Sequence, residues 1–370
     1  MKGNCVLREL GLRWCNGYGE AKHIAEAIAV SASLTQVVAS YERSNRMTKP
    51  LMTGVHVLTQ VDLGDNKIGG YKDENGLLII TPQGPQAVAD ALRASSSLTS
   101  IELFDNNIAP EGGKAIGEAM LFSVSLTSVN LDLNNVGQEG AKAIAMAIAN
   151  SKSLKSISLG NNNLGPEGAK LMGVGLACGD SVTSLCLWNT DIGSEGAEHI
   201  AEGITNSASL TCLDMRENDI RGAAAIMLSN AVLGNSKMET FNTIPVKELR
   251  DNVLTQLNLL YTHIGIVGAM VLAGLMREAT TLKRIVLFRN HIGAVGAQYI
   301  AKGIAASTSL TNINLSCNGH NVEGAKYIAE AIAVSKTLTS INLSRNNLGP
   351  TSAKYIAEGI AGSASLTYLW

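Results

Sequence analysis

Histidine and cysteine are the side chains in this chain best suited to ligating a metal or attacking a substrate, and there are six of each. None of the cysteines (Cys5, Cys15, Cys178, Cys186, Cys212 and Cys317) falls in a CxxC pair or at zinc-ligand spacing. His263 and His291 stand 28 residues apart, with His320 one position later than the same interval would place it. On neighbouring strands, which pair about 4.8 Å apart, such imidazoles would approach one another. A metal site needs further ligands and groups to orient them, and the equivalent positions elsewhere in the chain are mostly Asn or Asp, so the spacing assigns a polar turn and no metal. There is no HExxH, GxSxG or GxxxxGK[ST] signature. Gly113-Lys114 lacks both the upstream Gly and the following Ser or Thr of a phosphate loop. No catalytic residue and no cofactor is assigned, and the sequons at Asn314 and Asn342 fall in predicted strands.

What positions these residues is a repeat. Leu98, Leu126, Leu154, Val182 and Leu210 are 28 residues apart, as are Leu254, Leu282, Leu310, Leu338 and Leu366. Counting each as offset zero, offsets three and five are apolar and offset eight is Asn in eight of the ten repeats that start at Leu58, with Thr190 and Thr262 in the other two. Apolar residues two apart predict a short strand with one buried face. From offset 15 the spacing becomes Ala141, Ile144, Ala145, Ile148, the stripe of a helix. A strand and a helix in 28 residues leave faces that only the next unit can cover, so the units must stack. Offset 11 is Gly at Gly137, Gly165, Gly193, Gly265, Gly293 and Gly349, where a tight bend is expected. Offset 14 is Gly at Gly112, Gly140 and Gly168, among others, where a neighbouring turn should come close. The Asn at offset eight can donate and accept at once, so stacked copies can satisfy the turn backbone.

Composition agrees. The chain has 370 residues, 46% hydrophobic and 16% charged, with 37 Gly but only 4 Phe, 3 Trp and 8 Tyr, so aliphatic and Ala packing must fill the interior. A net charge of −2 argues against a nucleic-acid or anionic-lipid partner. No apolar run approaches the roughly 20 residues of a membrane span. The charged N-terminus does not read as a secretory signal, and the unpaired cysteines fit a reducing, cytoplasmic location.

The segment Leu154-Lys-Ser-Ile157-Ser-Leu159-Gly-Asn-Asn162-Asn-Leu164 resembles the leucine-rich repeat signature, and 28-residue units with a full helix resemble its ribonuclease-inhibitor-like subfamily. The resemblance covers nearly the whole chain. It implies an α/β fold: a single curved solenoid over 1–370, with a parallel β-sheet on the concave face and α-helices on the convex face. Weak repeats occupy 1–57, with units starting at Leu7 and Leu34 and residues 39–57 lacking the motif. A loop insertion spans 69–81, and regular repeats run over 82–237. A shortened repeat spans 238–253, where Pro245 should leave a brief irregular connection in place of the helix. Regular repeats resume over 254–370, the last one truncated, and its uncapped strand Leu366-Thr-Tyr-Leu369-Trp370 offers a route to self-association.

On such a scaffold the inner sheet face carries recognition. Aromatic and Arg side chains dominate interface hot spots, so Phe104, Trp188, Arg216, Tyr261, Phe288, Arg289 and Arg345, at offsets six and seven, form the candidate contact set, with the 69–81 insertion secondary. Acidic residues (Asp62, Asp65, Glu102, Asp105, Asp132) lie toward the N-terminus and basic ones (Lys283, Arg284, Arg289, Arg345) toward the C-terminus, which would orient a partner. The expected function is a non-catalytic protein-binding scaffold whose partner is another protein. The alternatives are a GTPase-activating regulator of a small GTPase, since Ran GTPase-activating proteins share the repeat type, or the ligand-sensing region of a NOD-like receptor. The functional residues of the former find no counterpart here, and the nucleotide-binding domain of the latter is not in this chain.

Overall fold

A computed structural model describes residues 12–13, 36–40, 59–72 and 75–370. The repeats expected from Leu7 and Leu34, and the stretch 39–57, lie largely outside those residues. The chain divides into two compact units, Met1–Leu210 and Thr211–Trp370.

Each repeat of the N-terminal unit begins with a three-residue strand at offsets two to four. Gln60–Asp62, Ser100–Glu102, Ser128–Asn130, Ser156–Ser158 and Ser184–Cys186 pair in parallel, preceded by Leu12–Arg13 and Gln36–Ser40. The register places Val61, Ile101, Val129, Ile157 and Leu185 in one buried row, each at most 2% exposed. Burying each such side chain contributes about 1.5–3 kcal/mol. The helices Gln83–Ala94, Ala109–Phe122, Gly137–Asn150, Gly165–Cys178 and Gly193–Asn206 bury the predicted Ala and Ile stripe. Glu111, Glu139, Glu167 and Glu195 sit in the first turns, where the helix dipole favours a carboxylate. Small residues let neighbouring helices touch: a Cβ on Gly203 would lie 2.6 Å from the Gly173 carbonyl oxygen. A helix-ending serine then turns the chain toward the next strand, as where Ser151 Oγ accepts from the Leu154 amide at 3.2 Å.

The expected glycine bend is real. Gly137, Gly165, Gly193, Gly265 and Gly293 have φ of 60–66°, whereas Gly349 does not, at φ −85°. The asparagines form the predicted ladder. Asn134 Nδ2 donates to the carbonyls of Leu103, Leu131 and Asp132 at 2.7–3.0 Å, and its Oδ1 accepts from the Asn106 amide at 2.9 Å. Thr190 keeps one of these bonds, to the Leu187 carbonyl at 2.8 Å.

The insertion is more ordered than a loop. Gly70–Lys72 and Leu78–Ile80 pair as an antiparallel hairpin, held at its base where Thr81 N donates to Gly69 O at 2.7 Å. Leu77, Leu78 and Ile80 are exposed. Asp73 and Glu74 lie outside the described residues.

In the C-terminal unit, Cys212–Asp214 pairs in parallel with Thr240–Phe241, which pairs antiparallel with Ile244–Pro245. A second sheet then runs in parallel through Gln256–Asn258, Arg284–Val286, Asn312–Asn314, Ser340–Asn342 and Tyr368–Leu369. The shortened repeat therefore interrupts the sheet: its chain doubles back, and Pro245 has no amide hydrogen to offer a further strand. The connection is also less irregular than Pro245 suggests, because a short helix, Val246–Arg250, follows it. Arg250 ties that helix to the end of the preceding one (Gly222–Gly234) through the carbonyls of Val232, Leu233 and Asn235. Phe241 is fully buried, an aromatic in a core that the composition assigned to aliphatics. With only five residues of helix in this repeat, the ring fills space that a longer helix covers elsewhere. The outer helices Gly265–Met276, Gly293–Ala306, Asn321–Val334 and Pro350–Gly362 complete the unit.

Candidate partner-binding surface

The candidate residues project from the ends of the strands because of the turn that follows. In all ten repeats from Leu58 the offset-seven residue is left-handed, with φ of 50–62°, whether it is Asp105, Leu133, Glu217, Tyr261, Arg289 or Arg345. The Asn ladder holds the main chain there while the side chain points away from the core.

In the N-terminal unit two of the seven candidates sit on glycines. Phe104 is half-buried over Gly64, where an added Cβ would come within 2.1 Å of the ring. Trp188 lies beside Gly160 less tightly, 3.4 Å from where a Cβ would stand, and remains 36% exposed. Each glycine occupies offset six of the preceding repeat, so the missing side chain makes room for the ring. Beside Trp188, Asp132 Oδ1 accepts from Gly160 N and Ser158 Oγ, both at 2.6 Å, which ties this carboxylate to the sheet.

The C-terminal unit gathers three candidates into one patch. Tyr261 and Phe288 meet edge to face with ring centroids 5.0 Å apart, and the Arg289 guanidinium lies 5.5 Å from the Tyr261 centroid. Tyr261 is 50% exposed, and Leu260, which the residue-type argument missed, is 45% exposed beside it. Arg216 makes its contacts within the unit. Its Nε and Nη2 grip Asp214 at 2.6–3.0 Å and its Nη1 donates to the Thr262 carbonyl at 2.7 Å, so it ties strand to turn. Arg345 is exposed on the last complete repeat, near a groove lined by Leu343, Leu369 and Trp370. On that exposed final strand, Tyr368 stacks on Trp370 with centroids 6.0 Å apart.

The three histidines separate into two environments. The rings of His263 and His291 lie 4.6 Å apart on exposed turns. His320 is buried at 1% exposure beneath its helix, its Nδ1 3.3 Å from Gly293 O, and takes no part in the pair. Burial holds its imidazole below the usual histidine range, against the hydrogen bonds to Gly293 and Leu315 backbone that favour the proton. Among the described residues, Cys178, Cys212 and Cys317 form no disulfide, and no helix is long and apolar enough to cross a membrane.

The repeat geometry has a counterpart in sequence families: a leucine-rich repeat model matches at residues 94–117, 122–145, 150–173, 206–229, 278–301 and 334–357. This chain carries leucine-rich repeats. No curated protein sequence matches it. Similar solved structures include the leucine-rich repeat protein LegL7 from Legionella pneumophila (19% identity, 76% of this chain, 85% of that chain, TM-score 0.35). An internalin from Listeria monocytogenes matches at 14% identity over 84% of this chain and 67% of that one, with a TM-score of 0.38. The tropomodulin C-terminal domain from Caenorhabditis elegans matches at 18% identity over 41% of this chain and 92% of that one, with a TM-score of 0.35.

Proposed function

We propose that this leucine-rich repeat protein is a non-catalytic, cytoplasmic scaffold of the ribonuclease-inhibitor-like type. It binds another protein through the sheet-side turns of its C-terminal unit. The observation that carries this reading is the patch of Leu260, Tyr261, Phe288 and Arg289. It combines exposed apolar surface, two rings and a guanidinium, the composition of interface hot spots, with Leu260 and Tyr261 both exposed. Trp188 is a separate candidate contact in the N-terminal unit, and the exposed side chains of Tyr368 and Trp370 support self-association. Cys178, Cys212 and Cys317, none of them in a disulfide, support a reducing compartment.

The test is affinity capture from native cell extract with wild type, Tyr261→Ala and Phe288→Ala side by side, followed by measurement of the recovered partner's affinity. A partner captured by wild type should bind each variant at least about tenfold more weakly, as for hot-spot residues, with far-ultraviolet circular dichroism unchanged. Equal affinity for all three proteins would refute the assignment, and loss of helical signal would assign the rings to structure.

A further inference from the structure

Glu217, His263 and His291 come from three different turns of the C-terminal unit. Glu217 occupies offset seven of its repeat and the two imidazoles offset nine of theirs. The shortened repeat carries no comparable turn between them, so a carboxylate 46 residues upstream meets His263 directly, with Glu217 Oε1 2.6 Å from His263 Nδ1. The same oxygen lies 4.0 Å from His291 Nδ1, and the three donor atoms all lie within 4.8 Å of one another. The Arg216 Nη1 bond to Thr262 O, one residue before each partner, pins the two turns together.

We propose that Glu217, His263 and His291 bind a divalent transition-metal ion of the zinc type. One carboxylate oxygen and two imidazole nitrogens are the donors such an ion prefers, whereas a calcium site would need six or more oxygens. Bonds of about 2.0–2.2 Å to a tetrahedral ion put donors about 3.3 Å apart, so Glu217 and His263 must part slightly and His291 must close in. Side-chain rotation supplies movements of that size. The backbone is already fixed: all three residues are left-handed at φ 55–58°, and the chain after each histidine is held where Gly265 N donates to Asn290 O at 3.0 Å and Gly293 N to Asn318 O at 2.9 Å.

An ion explains what a hydrogen bond does not. The Glu217–His263 pair accounts for one imidazole, and an exposed pair of that kind adds little to the stability of a fold. His291 is left beside another imidazole, with its Nδ1 too far from the carboxylate for a hydrogen bond. An ion uses both rings, each offering a ring-nitrogen lone pair. With the side chains of His263 and His291 40% and 58% exposed, a fourth ligand comes from solvent or from a partner's side chain.

The test uses the full chain, stripped with a chelator and titrated with zinc chloride by calorimetry and native mass spectrometry. One ion per chain is expected, bound at least about tenfold more weakly after His263→Ala or His291→Ala, with His291→Gln as a second, milder variant. His199→Ala, whose imidazole faces Glu202 on an outer helix, should bind as wild type does. Cobalt substitution should give visible d–d bands without thiolate charge-transfer absorption, which separates this site from the cysteines. Circular dichroism confirms that the variants fold. Absence of a stoichiometric ion, equal affinity in the His263 and His291 variants, or a thiolate spectrum would overturn the proposal.

Discussion

Asn162 is the side chain on which one turn most depends. It is 1% exposed, and its amide donates to the carbonyls of Leu131, Leu159 and Gly160 at 2.8–3.2 Å while accepting from the amides of Asn134 at 3.2 Å and Val136 at 2.9 Å. Asn162→Ala removes all five bonds. Leu131 O retains Asn134 Nδ2, so the main loss is two buried amides left without their acceptor and a carbonyl without its donor. At about 1–3 kcal/mol per orphaned group, relieved in part by water entering the space, the cost is about 3–5 kcal/mol. Asn162→Thr is milder, because Thr190 occupies the same offset fully buried and bonds the Leu187 carbonyl at 2.8 Å. Restoring one donor should reduce the loss to about 1–2 kcal/mol. Urea unfolding at constant m-value measures both variants. Hydrogen exchange should show faster exchange at Asn134 and Val136 than in distant repeats, since repeat arrays respond locally. An alanine variant within about 1 kcal/mol of wild type, or a threonine variant as damaged as the alanine one, would refute the ladder as a source of stability.

Two further changes probe the backbone and a buried histidine. Ala109 has φ 62° at the offset where five other repeats place a left-handed glycine. Ala109→Gly should therefore raise stability by about 0.5–1 kcal/mol, the left-handed penalty of about 1–2 kcal/mol exceeding the added unfolded-state entropy, and an unchanged or lower urea midpoint would contradict this. His320 is held below the ordinary imidazole range by burial. Its neutral form contributes stability that is complete above the unfolded-state value, about 6.5, and is lost as pH falls through the lower folded value. The melting temperature should consequently drop less between pH 7 and pH 5 in His320→Gln than in wild type, and parallel drops would show that His320 does not set the acid response.

The strands, helices, asparagine ladder and glycine bends were legible because each is dictated by one residue type recurring at one interval. What escaped the sequence depends on departures from that interval. Phe241 fills the core because its repeat lacks a full outer helix, and the sheet breaks where Ile244–Pro245 folds back on Thr240–Phe241. The insertion reads as a loop because Gly70–Lys72 and Leu78–Ile80 pair only with each other. At the surface, residue type proposed Tyr261, Phe288 and Arg289 as contacts, and the structure brings these three together. It did not reveal that Asp214 and Thr262 occupy Arg216, because a residue pattern does not show which partners a guanidinium has already taken. Glu217 was separable from the histidines by every local criterion, since offset seven and offset nine meet only when an intervening turn is missing.

The left-handed residue at offset seven divides two tasks within each repeat. Asparagine and backbone amides specify its conformation, so its own side chain has almost no vote in folding, and the chain places Asp, Leu, Asn, Glu, Tyr, Arg and Cys there with φ always between 50° and 62°. Such a position is an address that can be rewritten while the building stands. Ten of them recur from Asp65 to Arg345, so new recognition can be written into this protein one turn at a time.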